Sequence, residues 1–119
     1  MLYDVDQNEH TEMIHSSDYD RWRRRLSDED HQRVIAALHQ IMNENDIFKS
    51  SYLPGTNWNG TPYQPIYYAV GESEIDAALF YGLLVWEAVQ QHMNEWYFIK
   101  QQESDDQPTG MTYFRRSSN

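Results

Sequence analysis

The stretch from Glu72 to Trp96, ESEIDAALFYGLLVWEAVQQHMNEW, constrains this chain more than any other. From Ala77 to Trp86 it runs apolar almost without break, and Ala88, Val89, Met93 and Trp96 extend that character. Ile75, Leu79, Leu83, Trp86, Val89 and Met93 recur at near-helical spacing, while Phe80, Leu84 and Val85 fill neighbouring directions. A helix that is apolar nearly all round has to be buried, in a protein core or in a bilayer. A bilayer span needs about 20 mostly apolar residues. Here the unbroken run is 10 residues long, bounded by Asp76 and Glu87. Residues 72–96 therefore predict a long buried central helix of roughly 35 Å, at a rise of about 1.5 Å per residue, and no membrane contact.

What encloses that helix must come from its flanks. Ser27 is a good N-cap, followed by Asp28, Glu29 and Asp30 where the helix dipole favours negative charge. Val34, Ile35, Leu38, Ile41 and Met42 then make one apolar stripe, predicting an amphipathic helix to about Glu44, closed by Asn43 or Asn45. Ile47 and Phe48 are expected to turn back into the core. Tyr19, Trp22 and Leu26 give a shorter helix one apolar edge, with Ser17 or Asp18 as its cap. Residues 66–70 read as a short strand or as a helical turn opening at Pro65. Tyr97–Gln102 and Met111–Arg115 are rich in aromatic and β-branched residues and predict a C-terminal hairpin. A lone hairpin is marginal in water. A third strand is therefore expected from residues 66–70, from the N-terminal arm, or from a second copy. Residues 1–17 are polar and acidic, and read equally as a loose arm or a docked extension.

The whole, 1–119, is the size of one domain. The fold class expected is α+β, with two to three helices packed on a small antiparallel sheet that includes the hairpin.

Composition narrows the function. With 19 acidic against 9 basic side chains, the net charge is −10. Direct nucleic-acid binding is not expected, because phosphate affinity rests on basic surface. A basic protein partner suits that charge better. There are no cysteines, so disulfides, thiolate metal sites and a cysteine nucleophile are excluded. No leader pattern opens the chain, and a cytoplasmic setting is the expectation.

Candidate sites are few. The loop 55–64, GTNWNGTPYQ, gathers Asn57, Trp58, Asn59, Thr61, Tyr63 and Gln64, neutral donors and acceptors around aromatic faces. Such a set suits recognition of a sugar, a base or a peptide. Equally, Trp58 and Tyr63 could plug the core while Asn and Thr satisfy the loop's own backbone. Arg21, Arg23, Arg24 and Arg25 suggest an anion patch, although pairing with the chain's own carboxylates is the simpler expectation. No His-Glu-x-x-His run or Gly-x-Ser-x-Gly elbow occurs, so no metal, cofactor or catalytic residue is expected. Glu87 is the one acid within the apolar helix, expected on a narrow polar strip with Gln90, Gln91 and Asn94.

The leading functional expectation is a non-enzymatic module that works by protein contact as a homodimer. The oversupply of apolar surface and the hairpin's need for cover motivate it. The alternative is a small-ligand domain using loop 55–64. A third is an inhibitor that mimics nucleic acid, disfavoured because the carboxylates cluster at helix starts rather than along a surface.

Overall fold

The computed structural model describes residues 1–49, 61–100 and 111–115, with residues 48, 49 and 100 by backbone only. In chain order its elements are β1 (Leu2–Tyr3), α1 (Ser16–Arg23), α2 (Asp28–Glu44), β2 (Ile47–Lys49), α3 (Gln64–Ala69), α4 (Glu74–Gln91), β3 (Trp96–Lys100) and β4 (Met111–Arg115). The class is α+β, as the periodicities predict. Four helices rather than two or three are seen among the described residues, because the stretch after Pro65 is helical.

Both long helices start where their caps say. Ser27 Oγ accepts the Asp30 N–H at 3.1 Å, and Ser73 Oγ accepts the Asp76 N–H at 3.3 Å. Upstream of the second cap, Gly71 (φ 80°) and Glu72 (φ 64°) are both left-handed and turn the chain from α3 into α4. Neither long helix has a basic residue in its last turn. Cations from elsewhere serve those ends. The Arg115 guanidinium donates to Met42 O at 2.6 Å at the end of α2. The Met1 ammonium donates to Val89 O at 3.0 Å and His92 O at 2.6 Å at the end of α4. Positive charge is favourable at helix C-termini, where unpaired carbonyls collect. Asn45 is extended rather than left-handed, and closes α2 by donating its side-chain amide to Ile41 O at 2.8 Å.

The central helix is shorter than predicted. It stops at Gln91, and residues 92–95 lead directly into β3. Trp96 continues the apolar spacing but is the first strand residue, because a buried aromatic satisfies either period. Met93, expected on the buried stripe, is 83% exposed, and Ile75 at the other end is 76% exposed. Leu79, on the same stripe, is 52% exposed, whereas Ala77, Phe80, Tyr81, Leu83, Leu84, Val85, Trp86, Ala88 and Val89 are buried, so the helix is enclosed from Phe80 to Val89 and open along one side of its first turns.

The sheet has the order β1-β3-β4-β2. The pairs β3–β4 and β4–β2 are antiparallel, but β1 adds in parallel, with Leu2 opposite Trp96 and Tyr3 opposite Tyr97. The sheet is therefore mixed at one edge. Its extra strands come from the N-terminal arm and from residues 47–49, not from residues 66–70. Ile47 does not turn into the core; it is 62% exposed. The N-terminal residues are docked along α4. Leu2 is fully buried, Trp86 Nε1 donates to Glu12 O at 3.0 Å, and Gln90 Nε2 donates to His10 O at 3.1 Å. α1 opens at Ser16 behind a left-handed His15 with no side-chain cap, rather than at the Ser17 or Asp18 cap the sequence offers.

Candidate functional site

Of the loop residues singled out in sequence, Asn57, Trp58 and Asn59 lie outside the described residues. The other three have parted company. Tyr63 is 5% exposed and meets the Tyr81 ring edge-on at 5.4 Å, so it is a core residue. Burial pushes both phenols up. Thr61 and Gln64 instead stand on the rim of an open cleft of about 430 Å³ between the α1–α2 corner and α3.

The other wall of that cleft comes from the arginine cluster. The run DRWRRRL divides its arginines by helix geometry. Arg21 pairs with Asp18 at 3.0 Å and lies over the Trp22 ring. Arg23 pairs with Asp28 at 2.7 Å and donates to Leu26 O. These two follow the simpler expectation of internal pairing. Arg25 does not: it lines the cleft with Asp30 and Arg33 of α2. Leu26 and Ala69, both buried, form an apolar floor, and Pro62 and Pro65 a rigid side. The two sequence signals thus converge on one depression, with Arg25 from one and Thr61 and Gln64 from the other.

Two polar joints tie α2 to α4. At the first, Glu87 Oε1 accepts the Tyr19 hydroxyl at 2.8 Å and His31 Nε2–H at 2.7 Å, while Oε2 accepts Gln91 Nε2–H at 3.1 Å. Burial, then the bond to Glu87, pushes the Tyr19 phenol up. Glu87 and His31 side chains are each only 14% exposed. Of the expected polar strip only Glu87 is covered by α1 and α2: Gln91 is exposed, Gln90 donates to His10 O and Glu12 O, and Asn94 lies beyond the end of the helix. Nothing linear pointed to Tyr19 and His31, which lie 68 and 56 residues from Glu87.

At the second joint, His92 is buried beside His39, their rings edge-on at 5.1 Å. His92 Nδ1 accepts the Asn94 N–H at 3.1 Å and Trp96 Nε1–H at 3.3 Å. Both partners can only donate, so Nδ1 is unprotonated and Nε2–H donates to Asn43 Oδ1 at 2.7 Å. The ring is held neutral. Burial, and then the nearby His39, Met1 ammonium and Arg115, lower its pKa to about 4. His39 Nε2–H in turn donates to Ala88 O at 2.8 Å.

A third feature is the sheet surface turned away from the helices. Tyr3, Tyr97, Phe114 and Ile47 form one row across all four strands, by register. Tyr97 and Phe114 rings stand 5.6 Å apart, and Tyr3 and Tyr97 rings 6.2 Å apart. Ile99, opposite Thr112, lies on the same side and is 46% exposed. Outward positions of the four strands carry no acidic residue. Glu9, bridged to Tyr3, marks one border, and Lys49, opposite Thr112, the opposite corner.

Among the described residues no group of three or more His, Asp or Glu could hold a metal ion, and no helix is long and apolar enough to cross a membrane. His10 binds Asp4 at 2.9 Å. No family model, curated protein or solved structure matches the chain.

Proposed function

We propose that the protein is a cytoplasmic protein-contact module that associates with a second copy of itself through the outer face of its sheet. The observation that supports this reading is the uncharged row Tyr3, Tyr97, Phe114 and Ile47, with Ile99 beside it, in a chain of net charge −10. Loss of charge and enrichment in aromatics mark the centre of protein interfaces more than bulk hydrophobicity does. Two copies this acidic repel each other over most of their surface, so contact is favoured where carboxylates are missing. A two-fold axis parallel to the strands lays the β1 edge of one copy over the β2 edge of the other.

The area sets the strength. Strands lie about 4.8 Å apart and rise about 3.4 Å per residue, so the patch projects roughly 300 Å². A standard interface buries about 800 Å² per partner. A weak dimer, with Kd in the range of about 10 to 100 μM, is the expectation.

Sedimentation equilibrium up to about 500 μM covers that range. Dimerisation is expected, and Tyr97→Glu should abolish it with the circular dichroism spectrum unchanged. A monomer throughout the series, or a dimer indifferent to Tyr97→Glu, would overturn the reading.

A further inference from the structure

We infer that the cleft between the α1–α2 corner and α3 binds a small organic monocarboxylate. This stands apart from the sheet face and draws on different residues.

Size comes first. The cleft encloses about 430 Å³, within the range of about 300 to 1,000 Å³ usual for small-molecule sites. Charge comes second. Arg25, Arg33 and Asp30 line it; Arg33 is held by Glu29 and Asp30, which leaves Arg25 as the cation of the lining without a carboxylate partner among the described residues.

Arg21, Arg23, Arg33 and Arg115 each hold a carboxylate of the chain. Arg33 is engaged twice, with Glu29 at 2.6 Å and Asp30 at 3.7 Å. The Arg25 guanidinium has no hydrogen-bond or ion-pair partner among the described residues, and it faces the cleft. A planar guanidinium matches a carboxylate with two parallel N–H donors. Arg25 offers one guanidinium fork, which matches one carboxylate; the second charge of a dianionic phosphate would face Asp30 and Glu29, already shared with Arg33.

The remaining lining describes the rest of the ligand. Leu26, Pro62, Pro65 and the half-exposed Tyr68 give the cleft apolar and aromatic surface, and Gln64 lines it beside them. The carboxylate therefore comes attached to a compact apolar or aromatic body rather than to a charged one.

Benzoate is the probe, with acetate and inorganic phosphate as comparisons, titrated into the full-length ¹⁵N-labelled chain at neutral pH and about 0.1 M salt. Saturable shifts at Thr61, Gln64 and the Arg25 side-chain N–H are expected with benzoate. Acetate should bind at least about tenfold more weakly, having no body for the apolar wall to hold. Arg25→Gln should weaken benzoate about tenfold or more, the worth of a charge-assisted hydrogen bond. Arg25→Lys should weaken it by a smaller factor, since the charge stays but the fork is lost. Arg24→Gln, also exposed but outside the cleft, should change it less than about twofold, since long-range charge is screened within about 10 Å. The inference is overturned by the absence of saturable shifts at the cleft, by equal losses in the Arg24 and Arg25 variants, or by phosphate binding more tightly than benzoate.

Discussion

On one face of the sheet Leu2, Trp96 and Tyr113 are shut away in the core shared with the helices; on the other, Tyr3, Tyr97, Ile99, Phe114 and Ile47 keep part of their surface in water. The residue types are nearly the same. What differs is what stands opposite. Inward side chains meet aromatic and aliphatic neighbours and a buried histidine; outward, the rings of Tyr3, Tyr97 and Phe114 meet one another. A strand alternates its side chains between two faces, so Trp96 and Tyr97 are adjacent in sequence yet live in different environments. Burial of an aromatic on this sheet therefore reports its strand parity and the helices' position, not its hydrophobicity.

The contrast can be broken most directly at Trp96. Truncation to Ala on the inner face removes a fully buried ring and one donor to His92, and should cost about 3–5 kcal/mol. Total stability for a domain of this kind is about 5–15 kcal/mol. Urea unfolding followed by circular dichroism should show a large drop in midpoint or an unfolded chain. If Tyr97→Ala costs as much, the two faces are not energetically distinct.

Acid sharpens the same inner face. The His92 pKa is lowered from 6.5 to about 4 in the fold. The neutral ring is the form the fold prefers, so this stabilisation is complete above the unfolded value and lost as pH falls from about 6.5 through about 4. With some allowance for solvent screening, the loss is roughly 2–3 kcal/mol. Urea midpoints across that window should fall with acid, and His92→Gln should flatten that part of the profile. A ring whose NMR titration midpoint sits near 6.5 would contradict the buried, neutral assignment.

A smaller effect is expected at Arg115, which points inward from β4 and lies over the Trp96 ring. Replacement by Met keeps an apolar stem but leaves Met42 O at the end of α2 without its cation. A loss of about 1–2 kcal/mol is expected, with hydrogen exchange fastest in the last turn of α2. An unchanged exchange pattern would mean that the end of α2 is served by water.

Smallest of all should be Ile99→Thr on the outer face. It keeps β-branching and removes little buried area, so monomer stability should move by under about 0.5 kcal/mol. Self-association, by contrast, should weaken measurably in sedimentation. A stability loss as large as that at Trp96 would show that the outer face is covered within the monomer.

Much of this architecture could be read in advance. The caps at Ser27 and Ser73, the stripe from Val34 to Met42, and the hairpin alternation of Phe98 against Tyr97 and Ile99 are local signals, and local structure follows them. The end of the central helix was not legible, because the apolar spacing from Val89 to Trp96 suits either a helix or a turn into a strand. At the end of α4 His92 is extended and bonds Asn43, a residue of another helix. The parallel addition of Leu2–Tyr3 was equally silent, since two residues carry no period. For the candidate sites, the arginine cluster and the loop could be recognised separately, but not the fact that Arg25 would face Thr61 and Gln64.

The amino-acid order alone settled what depends on near neighbours: that the two long segments are helical, that Ser27 caps the first of them, that a ten-residue apolar run needs cover, and that the chain is strongly acidic. Contacts across the fold assigned the rest: which aromatics are core, that Arg25 lines a cleft, and that Glu87 meets Tyr19 and His31. The reason is one of range. Caps and periodicity act within about four residues along the chain, whereas burial and charge pairing depend on distances in space that no short pattern encodes.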